Sequence, residues 1–215
     1  MKIKKIVFLF FPLLGLVFLS LMNKNEIQDE NKPNIIFIAV DDLRPQLNCY
    51  GKNQIISPNI DDLASVSYTY ENAVCNFPVC GASRASLLTG LRPNKNRFKS
   101  YNTRMDVDAD NVLTMGEWFK KNEYFTLSLG KISHHNNDSP ESWSIPPWRA
   151  TKKWRDYQTK ENLIAVDTNK NNGAAKAFEI GEDLIDNYAD TKMVNKAIEQ
   201  LDELSKKEQP FFMSL

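Results

Sequence analysis

Two groups of residues have the types and spacing for chemistry. Asp41 and Asp42 stand side by side where an apolar run ends. Adjacent carboxylates cannot both leave water without a compensating cation, and hard oxygen donors of this kind suit Ca²⁺ or Mg²⁺. A solvated turn in which Asp41 caps Arg44 is the plainer alternative, and it stays open on these residues alone. The second group is Cys80-Gly81-Ala82-Ser83-Arg84, followed by Leu87, Leu88, Thr89, Gly90 and Pro93. Here a thiol precedes a helix expected over Ser83 to Leu88, whose amide groups favour an anion at its N-terminus. A buried thiol opening an ordinary helix is the competing interpretation. Lys131 and His134 are further candidates. A lysine after a strand is ordinarily a solvated surface residue, and His134 with its neighbour His135 in a polar loop could be exposed or bind adventitious metal.

The elements that must position these residues follow from periodicity. Asn34 to Val40 is a continuous apolar, β-branched run, as expected of a buried strand in a parallel sheet. Ser57 and Pro58 have the pattern of an N-cap and first helical position, with Asp61 and Asp62 near the positive end of the helix and Ile60, Leu63 and Ala64 facing inward. Thr114 to Lys121 repeats that pattern. Tyr124 to Leu129 is a second strand closed by Gly130, and Ser133 to about Gly181 is an irregular excursion rich in Asn, Ser, Pro and Lys that carries Trp143, Trp148 and Trp154. Asp190 to Leu204 places Met193, Val194, Ala197, Ile198, Leu201 and Leu204 on one helical face. Pro210 to Leu215 begins a further strand, whose edge is expected to be left open. Strands alternating with helices imply an α/β sandwich of βαβ units. In such a sheet ligands lie beyond the carboxyl ends of the strands, which is where Asp41 and Asp42 fall.

The Cys80 pentapeptide with its downstream Leu-Thr-Gly resembles the signature of the sulfatase family, in which the cysteine is oxidised after translation to formylglycine. Pro33-Asn34 running to Asp41-Asp42, then Ser57-Pro58-Asn59-Ile60-Asp61, the Cys80 motif, Gly130-Lys131 and His134 fall in the sulfatase order. Asp41-Asp42-Leu43-Arg44-Pro45, Cys49-Tyr50-Gly51 and Asp138-Ser139-Pro140 through Ser142-Trp143-Ser144 to Pro146-Pro147 look like segments of the iduronate-2-sulfatases.

The resemblance implies an alkaline-phosphatase-like α/β sandwich with a largely parallel central sheet flanked by helices. It implies hydrolysis of a sulfate ester on a sulfated sugar, such as a 2-O-sulfated uronic acid in a polysaccharide. Asp41, Asp42 and the modified Cys80 would bind a divalent metal, Ca²⁺ ahead of Mg²⁺. Hydrated formylglycine would supply the attacking hydroxyl, Arg84 would hold it and balance the carboxylates, and Lys131 and His134 would contact the sulfate and assist the leaving oxygen. Ser83 is expected to serve the formylglycine-generating or sulfatase-maturing enzyme, which is the implied protein partner. A phosphomonoester or phosphonate hydrolase of the same superfamily, or an inactive tethered binding domain, are the alternatives. The family draws further metal ligands and another Lys and His from later in a longer chain. Residues 31 to 215 are therefore expected to be the N-terminal part of a catalytic domain, truncated at the C-terminus and with little turnover alone.

Composition sets the remaining bounds. A chain of 215 residues that is 42% hydrophobic and 25% charged is an ordinary globular composition. Its 27 basic and 27 acidic side chains cancel, so no global field draws it to nucleic acid or an acidic membrane. Residues 1 to 30 stand apart. Lys2, Lys4 and Lys5 precede the apolar run Ile6 to Met22, the pattern of an export signal peptide or an N-terminal membrane anchor with a polar linker. Membrane contact would be confined to that segment, and the body is expected to be periplasmic or extracellular. Three cysteines occur, and in an exported chain Cys49 and Cys75 are expected either to pair or to be buried.

Overall fold

The apolar runs at both ends of the body meet in one sheet. In a computed structural model, residues 32–151, 156–168 and 176–215 are described; the leader and Trp154 lie outside them. Strand β1 (Ile35–Phe37), β2 (Phe125–Ser128) and β3 (Phe211–Ser214) are all parallel, in the order β1-β3-β2. Ile35 pairs with Phe212 on one side of β3, and Phe125 pairs with Phe211 on the other. The strand expected to leave an open edge is therefore the central one, with all four residues buried. A parallel strand covered on both faces is apolar without alternation, and Phe211, Phe212 and Met213 satisfy that requirement.

Alternation along β3 divides the core. Phe212 packs on one face with Ala82, Ala85, Leu88, Phe98, Tyr124 and Trp143. Phe211 and Met213 pack on the other with Leu127, Leu129, Ala197 and Leu204. Helices α1 (Pro58–Ser65), α2 (Cys80–Thr89), α3 (Met105–Asp108) and α4 (Met115–Lys121) lie between β1 and β2 in the chain; α5 (Lys160–Thr168) and α6 (Ala189–Leu204) lie between β2 and β3. Residues of α2 enter the first face and residues of α6 the second, which is the sandwich expected from the βαβ pattern. Phe119 stacks on the Phe212 ring at 4.3 Å between centroids, and Trp143 lies nearly parallel to it at 6.4 Å. Trp143 is buried, and Trp148 packs on the second face with its amide donating to the Ser128 carbonyl. Trp143 is thus part of the framework, while Trp148 is anchored beside β2 and stays partly exposed.

Several expectations are corrected. β1 is an edge strand whose second face is open, with Ile36 at 46% and Ile38 at 63% exposure. In α1, Ile60 and Leu63 are exposed because no element among the described residues covers that side. Ser57 sits at the N-cap with Pro58 after it, but its hydroxyl donates to the Asp61 carboxylate and caps no amide. Asp61 also accepts from the Cys49 amide, fixing the preceding loop. Thr114 does cap α4, in a reciprocal box with Glu117. On α6 the buried stripe runs through Ala197, Gln200 and Leu204, leaving Val194 and Ile198 exposed. All three cysteines are free and Cys75 is exposed, so Cys49 and Cys75 are neither bridged nor both buried.

The excursion after β2 holds a short helix at Pro140–Ser142 as well as α5. Glu179 caps α5 from outside. Its carboxylate accepts from the amides of Gln158 and Thr159, the Thr159 hydroxyl at 2.7 Å and the Asn162 side chain at 3.0 Å. Burial pushes the carboxyl up, but these donors outweigh it and pull it from 4.5 to about 2. A carboxyl whose folded value is depressed stabilises fully above its unfolded value and loses that contribution as pH falls through the folded one. Amide exchange across 159–166 is accordingly expected to accelerate as pH drops from about 4.5 toward 2, after correction for intrinsic rates. Glu179→Gln should already show fast exchange at neutral pH and lose the acid step. An unchanged acid step in that variant would exclude Glu179 as its source.

Candidate active site

The carboxyl end of β1 makes the first half of the site. The chain reverses at Asp42, which takes a left-handed backbone (φ 55°), a conformation that Asp tolerates better than most residues. Asp41 and Asp42 therefore project at the strand end. The second half is the start of α2, which begins at Cys80 and not, as expected, at Ser83. Val79 is extended and its carbonyl already accepts from the Ser83 amide. Gly81 permits this start: a Cβ there would lie 2.1 Å from the Tyr101 carbonyl oxygen. The helix thus presses its first turn on the backbone of Ser100 and Tyr101, and holds Cys80 at the mouth of a cleft.

Arg84, one turn on, points back to the strand end and is 8% exposed. One guanidinium nitrogen ion-pairs with Asp41 Oδ1 at 3.3 Å; the other donates to the carbonyls of Lys131 and Ile132. Lys131 follows Gly130, whose positive φ (73°) turns the chain after β2, and its ammonium lies 2.5 Å from Asp41 Oδ2. Burial alone would raise the Asp41 carboxyl. The hydrogen bond from Lys131 and the charges of Arg84 and Lys131 more than offset it and hold Asp41 below the usual carboxylate range. Asp41 is thus paired with two cations across the sheet, not capping Arg44. Asp42 has no hydrogen-bonding partner among the described residues.

His134 completes the group. Its Nδ1 lies 3.3 Å from Cys80 Sγ, while His135 packs edge-on behind it. Of the two neighbouring histidines, it is His134 that faces the thiol. Burial first, then the charges of Lys131, His135, Arg149 and Arg84, lower its pKa, so the imidazole is neutral at neutral pH and able to take a proton. A cleft of about 520 Å³ is lined by Asp41, Asp42, Cys80, Ser83 and Arg84. A neighbouring one of about 440 Å³ is lined by Asp41, Lys131, His134 and Arg149. Every candidate site residue from the sequence lies on one of these two clefts, which share Asp41. Arg149 was not anticipated; a basic residue after Pro146-Pro147 and Trp148 carries no motif that would have singled it out.

The donor chemistry suits a hard divalent cation in type. Two carboxylates, one of them unpaired, face an oxidisable side chain across one cleft. It falls short in number, because among the described residues no group of three or more His, Cys, Asp and Glu side chains is placed to hold a metal ion. An oxygen-bearing side chain at position 80 would make the third donor harder than the thiol it replaces.

Comparison with known proteins extends this picture. The Sulfatase family model matches residues 33–215. Human iduronate 2-sulfatase is 35% identical over 188 residues, covering 85% of this chain and 34% of the relative. Among solved structures, one in complex with its substrate D-glucosamine-2-N,6-O-disulfate superposes with a TM-score of 0.60 at 26% identity, covering 85% of this chain and 33% of that one. Another, a 2-O glycosaminoglycan sulfatase, gives 0.57 at 25% identity, covering 85% and 34%. The chain spans about a third of the length of the curated relatives it matches, and its parallel sheet flanked by helices is alkaline-phosphatase-like. With the family model covering the whole body, from β1 and the Asp41 turn that follows it to the central strand β3, this chain belongs to the sulfatase family.

Proposed function

We propose that the protein is a sulfuric ester hydrolase acting on a sulfated sugar, with Cys80 as the precursor of its formylglycine. One observation carries this reading: Cys80 opens α2 within reach of His134, on a cleft it shares with Asp41 and Asp42, while Arg84 and Lys131 hold Asp41 in place. The family generally uses formylglycine and a divalent metal. Asp41, Asp42 and the modified Cys80 would hold the cation, which would supply Lewis-acid stabilisation of charge on the sulfate oxygens. Hydrated formylglycine at position 80 would supply the oxygen nucleophile.

The chain's own residues account for the rest. Arg84 orients the side chain at position 80 from one turn away and keeps Asp41 ionised. Lys131 adds a positive charge at the cleft wall, where an anionic ester would be drawn and its developing charge balanced. His134, neutral at rest, receives or returns a proton beside position 80 as the ester oxygen departs. The likeness to human iduronate 2-sulfatase and to a 2-O glycosaminoglycan sulfatase supports a 2-O-sulfated uronic acid as substrate. The leader pattern at residues 1 to 22 supports export.

Mass spectrometry of the Cys80 peptide, from chain co-expressed with a sulfatase-maturing enzyme, tests the reading. The thiol should be replaced by an aldehyde, with loss of sulfur and two hydrogens and gain of one oxygen. An unmodified thiol under those conditions overturns the assignment. Faster turnover of an aryl phosphate than of an aryl sulfate would move the protein to phosphoryl chemistry, and re-addition of Ca²⁺ or Mg²⁺ after chelation identifies the ion, Ca²⁺ being expected.

A further inference from the structure

The segment from Gly130 to His135 carries both Lys131 and His134 but forms no helix or strand, so something other than a backbone ladder must hold it. Its five consecutive carbonyls from Gly130 to His134 all accept from guanidinium groups. Arg84 takes Lys131 and Ile132. Arg149 takes the other three: its Nε donates to Gly130 at 3.1 Å, and its Nη2 to Ser133 at 2.6 Å and His134 at 3.4 Å. The Gly130 amide in turn donates to the carbonyl of Trp148, next to Arg149. Arg84 grips the middle of the segment and Arg149 both flanks.

We propose that Arg149 is a positioning residue that fixes the Gly130–His134 backbone and so aims Lys131 at Asp41 and His134 at position 80; its role in turnover rests on the sulfatase reading above. A planar fork with several fixed donors can span carbonyls on both sides of a turn, which a single ammonium cannot. Arg149 also lines the cleft with Lys131 and His134, so a direct hold on substrate is the competing role. The two differ in kinetics. Loss of alignment lowers kcat, and loss of a substrate contact raises KM.

Arg149→Ala and Arg149→Lys, made in the full chain with the maturing enzyme, test this. Alanine is expected to lower kcat on an aryl sulfate by about 10- to 100-fold, with KM changed less than about 2-fold, the size of effect a misplacement near 1 Å produces. Lysine should not restore kcat, whereas added guanidinium ion should partly restore it in the alanine variant. Amide exchange should accelerate in 130–135 while exchange in β3 is unchanged. A raised KM at normal kcat, or exchange in 130–135 equal to wild type, overturns the proposal. If alanine unfolds the chain, Arg149→Gln supplies the same readouts with one donor kept. Absence of turnover in the wild-type chain, already expected of residues 31 to 215 alone, leaves exchange in 130–135 to judge the clamp and the mass of the Cys80 peptide to judge the sulfatase reading.

Discussion

Cys80→Ala, in a chain extended to the length of its sulfatase relatives and matured by co-expression, is expected to lower kcat on an aryl sulfate by at least about 10⁴-fold, as removal of a nucleophile does elsewhere. Stability should move little, because Cys80 is only partly buried at the first position of α2 and the polar contact of its side chain among the described residues is the 3.3 Å approach to His134. The midpoint of thermal unfolding should stay within about 3 °C, equivalent to roughly 1 kcal/mol in a domain of this size. A buried structural thiol would give the opposite pattern: a loss of about 1–3 kcal/mol of stability with turnover intact. Measuring both quantities on one preparation separates the two, and a variant that retained turnover would remove Cys80 from the chemistry.

Why the site was legible in the sequence while its supports were not comes down to range. Asp41-Asp42 at the end of an apolar run, and Cys80 ahead of a helix, are local patterns whose consequence is local: a strand end and a helix start both point toward the ligand side of a parallel sheet. Local spacing could not reveal that Gly81 must press on the Tyr101 carbonyl, which draws the helix start back from Ser83 to Cys80. Nor could it distinguish His134 from His135, since the choice depends on which way the arginine-held segment turns.

The fold shows the same division. The three strands and the helix start at Thr114 were visible as periodicity and composition, though not the reciprocal box with Glu117. Strand order was not, because an apolar run says that a strand is covered without saying by what; β3, last in the chain, inserts between β1 and β2. Burial of individual faces failed for a related reason. Val194 and Ile198 on α6, and Ile60 and Leu63 on α1, have the helical spacing of core residues, yet all four are left exposed. Ser57 is a further instance: the residue type at an N-cap predicts an acceptor, but an acid four residues on competes for the hydroxyl.

Arg84→Met should bring the largest change in stability, and its cause can be separated from the ion pair it breaks. The substitution leaves the buried Ile132 carbonyl and the adjoining Lys131 carbonyl without their donor, and strips one cation from Asp41. Two charge-assisted hydrogen bonds lost, one to a buried and one to a partly buried acceptor, cost about 3 kcal/mol, or roughly 6–12 °C in the midpoint for a domain of this size. The ion pair adds little, since Asp41 is 42% exposed and keeps Lys131 as a second partner. Asp41→Asn is therefore expected to cost under about 1 kcal/mol, and the double variant to lie within about 0.5 kcal/mol of the sum. A coupling above about 2 kcal/mol would instead place the stabilisation in the Arg84–Asp41 pair. Arg84→Lys should recover only part of the loss, because one ammonium on a flexible stem cannot serve Asp41 and two successive carbonyls at once. Turnover should follow alignment, with every Arg84 variant losing activity beyond its stability deficit, measured well below the unfolding midpoint. Were Arg84→Met fully active there, Arg84 would be a brace for the Lys131 segment alone, and the orientation of position 80 would fall to His134 and the first turn of α2.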